Sequence, residues 1–171
     1  MTVTEFEKAL TNALEHNPTP GQEQAILSLS EFCVRRDPQA IFLLTGYAGT
    51  GKSTLIAGLV QTLGQFKRSS VLMAPTGRAA KVISQYSHRE AFTIHRKIYV
   101  PLSQKGGGVK FALQPNKHRN TLFIVDEASM VPDTNTDANV FEGSSLLDDL
   151  MTYVYSGPGC QLMFVGDLAQ L

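Results

Sequence analysis

The run Gly46-Tyr47-Ala48-Gly49-Thr50-Gly51-Lys52-Ser53 follows the spacing GxxxxGK[ST], a set of residue types suited to holding phosphate. Its glycines let backbone N–H groups curl around a β-phosphate, and Lys52 neutralises charge on the β- and γ-phosphates. The Ser53 hydroxyl suits Mg²⁺ at a helix N-terminus, whose dipole also favours anions. Contacts to a nucleoside triphosphate are therefore expected from Gly46, Ala48, Gly49, Thr50, Gly51, Lys52, Ser53 and Thr54. The alternative is a glycine-rich turn with an incidental lysine, and the flanking strand and helix patterns argue against it. A second apolar run, Leu122-Phe123-Ile124-Val125, ends in Asp126-Glu127. Acids at the carboxyl end of a parallel strand face the crevice where ligands bind in open α/β sheets. There Asp126 suits the Mg²⁺ shell, and Glu127 can polarise a water attacking the γ-phosphate. Alone, the pair reads equally as a helix N-cap with a first-turn acid. A third run, residues 162–165, leads into Gly166-Asp167-Leu168-Ala169-Gln170-Leu171. It sets Gln170 one turn past a core strand, where an amide can touch a γ-phosphate or merely solvate a loop.

These groups need a scaffold, and the hydrophobic spacing supplies one. Helical periodicity over 22–35 follows the breakers Pro18, Pro20 and Gly21, and continuous apolar residues over 40–45 predict a strand buried on both faces. Helix 52–63, strand 71–74, helix 78–86, strand 121–125, helix 146–155 and strand 162–165 continue the alternation. Such alternation predicts an α/β fold, a mostly parallel sheet with helices on both faces. Two segments break the rhythm. Residues 98–113 hold IYVPL and VKFAL around the polar turn SQKGGG and predict an inserted β-hairpin. Residues 131–145 are rich in Asp, Asn, Thr and Gly and read as a surface loop. The final GDLAQL stops directly after a strand, where an α/β domain would continue, so a C-terminal truncation is expected.

Length and composition bound the classes. The chain has 171 residues, 43% hydrophobic and 18% charged, as an ordinary single folded domain does. No apolar run approaches the roughly 18 residues of a membrane-spanning helix, and the N-terminus with Glu5 and Glu7 is no secretory signal. Cys33 and Cys160 show neither a disulfide framework nor zinc spacing, so a reducing cytoplasm is the expected setting. Net charge is zero, yet its distribution is uneven: residues 78–119 hold nine Lys or Arg against Glu90 alone, while 120–171 hold eight acids and no Lys or Arg. A basic middle suits a phosphate-rich partner, and a solvated face is the alternative.

The segments APTGRAA (74–80), FTIHRKIY (92–99), FIVDEASM (123–130) and VGDLAQL (165–171), in that order after the phosphate loop, resemble the first half of superfamily 1 helicases. Within that superfamily they are similar to the 5′-to-3′ branch of RecD-like and Dda-like proteins, and the likeness covers nearly the whole chain. The resemblance implies a P-loop NTPase fold of RecA-like type spanning 1–171, with 98–113 inserted and a second RecA-like domain absent. It implies ATP and Mg²⁺ as cofactors, with Lys52 and Ser53 as their ligands, Asp126 and Glu127 as metal and water partners, and Gln170 as γ-phosphate sensor. TPGQEQAI (19–26) is similar to the family's adenine-reading segment and puts Gln22 in that role; a polar helix start is the alternative.

The same resemblance assigns Thr76, Gly77 and Arg78, with Thr93 and His95, to segments that grip single-stranded DNA. Small hydroxyls and backbone N–H donors at strand ends suit phosphate oxygens. A structural histidine and a solvated basic face remain the alternatives for His95 and for Arg78. The hairpin resembles a pin subdomain at a duplex fork, with Phe111 stacking on a base or packing the hairpin onto the sheet. A stand-alone protein and a subunit of a RecBCD-like complex both agree with the likeness, and no membrane partner is expected. Because such motors hold ATP between two domains, the fragment alone is expected to be nearly inactive. From other classes, a small-molecule kinase would need a lid with phosphate-binding arginines, and a non-hydrolysing binding module would not need Glu127. Turnover with and without single-stranded DNA separates all three.

Overall fold

The computed structural model describes residues 1–103, 109–134 and 145–167. Strands β1 (Ile41–Gly46), β2 (Ser70–Ala74), β3 (Ala91–Thr93), β6 (Leu122–Val125) and β7 (Gln161–Asp167) form a parallel sheet in the order β1-β7-β6-β2-β3. Strands β4 (Tyr99–Ser103) and β5 (Val109–Leu113) pair antiparallel as the separate hairpin, and its turn lies outside the described residues. The parallel α/β sheet with helices and a small inserted hairpin is therefore the architecture expected from the sequence.

Side chains alternate across a strand, and that period assigns each to a layer. Leu72, Leu122, Ile124, Met163 and Val165 meet one cluster under α1 (Val3–Asn12), α2 (Pro20–Arg35), α3 (Lys52–Gln65) and α4 (Gly77–Ser87). Val71, Met73, Phe123, Val125, Leu162 and Phe164 meet the other, under α5 (Ile94–Ile98), α6 (Leu146–Ser156) and the hairpin. Helix α1 escaped the periodicity reading, although Thr2 and Glu5 form a reciprocal capping box and Phe6 and Leu10 bury its inner face.

Strand β1 corrects an expectation. It is an edge strand, and only one of its faces is covered: Leu44 is buried in the first cluster, whereas Ile41 is 43% and Leu43 60% exposed. A continuous apolar run reports hydrophobic residues but not whether a second layer reaches them; here α6 sends the Tyr155 hydroxyl to the Ala40 carbonyl at 3.0 Å, just before the strand, while Ile41 and Leu43 stay exposed.

A buried arginine ties α2 to the sheet. Arg68 donates to the Cys33 carbonyl at 2.7 Å and to Gln161 Oε1, while Gln161 Nε2 donates to the Phe32 carbonyl at 2.9 Å. Both carbonyls belong to the last turn of α2, that of Phe32 also accepting the Arg36 N–H at 3.4 Å, and a cation there favours the negative end of the helix dipole. Burial pushes the Cys33 thiol up to about 11 against the opposing charge of this guanidinium, so it stays a protonated, unreactive core group.

Candidate functional site

The phosphate loop runs from the end of β1 to the first turn of α3. Gly49 (φ +78°) and Gly51 (φ +83°) adopt the left-handed conformation, and a Cβ at Gly51 would also run into the Gln22 amide. Lys52 Nζ donates to the carbonyls of Gly46 at 2.6 Å and Tyr47 at 2.9 Å, which holds the ammonium over the loop. Ala48, Gly49, Thr50, Ser53 and Thr54 are exposed around it. The loop therefore offers free backbone N–H groups and a poised cation, and the residues fit a triphosphate.

Gln22 lies against this loop, with both ends of its amide engaged. Its Oε1 accepts from the Thr19 N–H at 3.0 Å in a capping box, and its Nε2 donates to the Thr50 carbonyl at 3.0 Å. The polar-helix-start alternative thus describes the observed contacts. The adenine role would need these contacts to rearrange, although a cleft lined by Gln22, Ala25, Thr45 and Lys52 adjoins it.

Asp126 and Glu127 sit at the carboxyl end of β6, where the sheet brings them across from the loop. A cleft of about 370 Å³ is lined by Ala48, Gly49, Lys52, Ser53, Tyr86, Asp126, Glu127 and Asp167. Glu127 holds φ +55°, rare for a residue with a side chain and typical of strained functional positions. Its N–H donates to Asp126 Oδ1 at 3.0 Å. Tyr86, from α4, donates its hydroxyl to Asp126 Oδ2 at 2.6 Å. Burial first, then the Asp126 hydrogen bond and charge, push the Tyr86 phenol far above its ordinary range, so it remains a donor. Sequence reasoning missed Tyr86; its only signal was a polar-tipped aromatic near the end of an amphipathic helix. Gln170 lies outside the described residues.

A second groove opens beside the first. Because β2 and β3 are parallel neighbours with Ala74 opposite Thr93, the segments after them emerge at the same sheet end. Thr76 caps α4 by accepting from the Ala79 N–H, and Thr93 caps α5 by accepting from the Arg96 N–H, both at 3.2 Å. Each hydroxyl keeps its own proton to donate. Gly77, Lys81, Phe92, Thr93 and Arg96 line a groove of about 450 Å³, and the Phe92 ring has the Lys97 ammonium 4.8 Å and the Arg96 guanidinium 5.8 Å from its centroid. Phe92 was also missed, since an aromatic among apolar neighbours reads as core.

The remaining candidates sit apart from that lining. Arg78 is exposed on the first turn of α4. His95 is exposed, with its ring 5.8 Å from that of Tyr99. Phe111 is half-buried and packs against the second cluster, which matches the packing alternative. Among the described residues no helix is long and apolar enough to cross a membrane.

Residues 33–171 match the AAA domain family. An ATP-dependent RecD2 DNA helicase of Deinococcus radiodurans is 35% identical over 135 residues, which is 77% of this chain and 16% of that protein. The RecBCD enzyme subunit RecD of Mycobacterium tuberculosis is 30% identical over 156 residues, 78% of this chain and 24% of that protein. The ATP-dependent DNA helicase dda of Enterobacteria phage T4 is 29% identical over 131 residues, 75% of this chain and 27% of that protein. The chain thus spans less than a third of each of these relatives.

Proposed function

The chain belongs to the AAA domain family, in the RecD- and Dda-like branch of superfamily 1, and on that premise we propose that it is the ATP-hydrolysing motor domain of a DNA helicase. The observation that carries this reading is the convergence of Lys52, Ser53, Asp126 and Glu127 on one cleft, with a basic, hydroxyl-bearing groove at the neighbouring strand ends.

In this reading the loop N–H groups and Lys52 bind the phosphates of ATP, and Ser53 and Asp126 hold Mg²⁺. Bound magnesium would supply charge neutralisation on the phosphate oxygens. Glu127, which lines the cleft at the end of β6, accepts a proton from the attacking water. Thr76, Gly77 and Thr93 hold phosphates of single-stranded DNA, Arg78, Lys81 and Arg96 supply positive charge, and Phe92 offers a stacking face. The 1–171 segment acts as the first RecA-like unit, and a second unit of the same protein closes over the exposed phosphate loop. Gln170 as γ-phosphate sensor and His95 as a DNA contact are part of the proposal through the family likeness alone. RecD of Mycobacterium tuberculosis is a subunit of the RecBCD enzyme, and a comparable assembly is one setting for this protein.

The test is ATP turnover by the full-length protein with and without single-stranded DNA. Stimulation by DNA is the expected result. Turnover that ignores DNA but follows an added small-molecule acceptor would place the chain among kinases instead.

A further inference from the structure

Tyr86 stands on the last turn of α4, and its hydroxyl donates to Asp126 Oδ2 at 2.6 Å. Ser53 lines the same cleft as Tyr86 and Asp126. The phenol therefore touches Asp126 at the end of β6 and shares its cleft with Ser53 on the first turn of α3. Both are the groups that the nucleotide-site reading assigns to Mg²⁺.

The donor and acceptor inventory fixes the direction of this chain of contacts. A tyrosine hydroxyl has one proton to give and lone pairs to receive. Here its proton goes to Asp126. On the carboxylate, Oδ1 accepts the Glu127 N–H at 3.0 Å and Oδ2 accepts the phenol, so neither oxygen can rotate freely. A carboxylate has about four lone-pair sites, and about two remain for metal or its water.

We infer that Tyr86 is a positioning residue for magnesium, its hydroxyl holding the Asp126 carboxylate in its metal-binding orientation before the metal arrives. The inference rests on the nucleotide-site reading and adds a residue to it. Side chains that orient metal ligands act through the ligands, and they tune metal affinity without touching the metal.

Tyr86→Phe keeps the ring, which packs against the first cluster, and removes only the hydroxyl that donates to Asp126. In the full-length protein, equilibrium binding of a fluorescent ATP analogue is measured across a Mg²⁺ titration and again in EDTA, with thermal melts of both proteins alongside. The Mg²⁺ midpoint should rise about tenfold in the variant while EDTA binding stays within about twofold, the lower end of the effect seen for partners of metal ligands. An unchanged midpoint would overturn the inference. So would an equal loss of binding in EDTA, because that would make Tyr86 a prop for the loop rather than for the metal ligands. Wild-type binding that does not tighten with Mg²⁺ would instead remove the nucleotide-site reading, and this inference with it.

Discussion

Lys52 makes its two observed hydrogen bonds to loop carbonyls and none to the core, so its charge is available for a ligand. Lys52→Ala in the full-length protein should lower DNA-stimulated ATP turnover by about two to three orders of magnitude, the scale of one lost preorganised donor. Its melting temperature should not move, and turnover at the wild-type rate would remove the assignment. Glu127→Gln separates binding from chemistry. Asp126 keeps its own contacts, so nucleotide affinity should be retained while turnover falls by roughly 10²–10⁴, the contribution of a general base. If affinity fell as far as turnover, Glu127 would be a structural or metal-binding residue. The loop and the acidic pair were readable as motifs because their chemistry depends on local spacing. Tyr86 and Phe92 were not, since each gains its meaning from a side chain on another element: Asp126 lies forty positions from Tyr86.

Among the elements, the hairpin and α2 yield the sharpest expectations. Phe111 is half-buried against the second cluster, so Phe111→Ala should cost about half of a fully buried phenylalanine, roughly 1.5–2.5 kcal/mol, and lower the melting temperature by several degrees. Loss of unwinding with ATPase, translocation and melting temperature all preserved would show instead that the ring stacks on a base at the fork. Arg68 caps α2 from across the sheet, and Arg68→Met leaves the Cys33 carbonyl and Gln161 Oε1 without their donor. Urea unfolding should register a loss of about 1–3 kcal/mol, as expected for a buried hydrogen bond to a charged group. An unchanged midpoint would mean that the desolvation of this guanidinium offsets its contacts.

For the whole molecule, the open side of the phosphate loop is decisive. Tyr47 is 65% exposed, and Ala48, Gly49 and Thr50 are exposed beside it, so solvent screens any charge that forms there. The proposed second RecA-like unit would exclude that water and bring an arginine. Loss of an arginine finger costs about three to five orders of magnitude in phosphoryl transfer, and residues 1–171 alone should turn over ATP more slowly than the full-length protein by about that factor. Equal rates would show that one unit is a complete catalyst.

The sequence by itself determined the alternation of strands and helices, the phosphate loop, the acidic pair at a strand end and the basic middle of the chain. All of these are patterns of period 2, period 3.6 or fixed short spacing, which the local backbone imposes. It also held α1, legible only through Thr2 and Glu5 as a capping box. What only the tertiary structure decided was adjacency. The order β1-β7-β6-β2-β3 left Leu43 on an uncovered edge despite its apolar neighbours. It set Thr93 beside Ala74, so that two short segments share one groove. It also put the Tyr86 hydroxyl against Asp126 at the end of β6. The physical reason is that strand order and layer coverage come from contacts between residues far apart in the chain, and no local period encodes them.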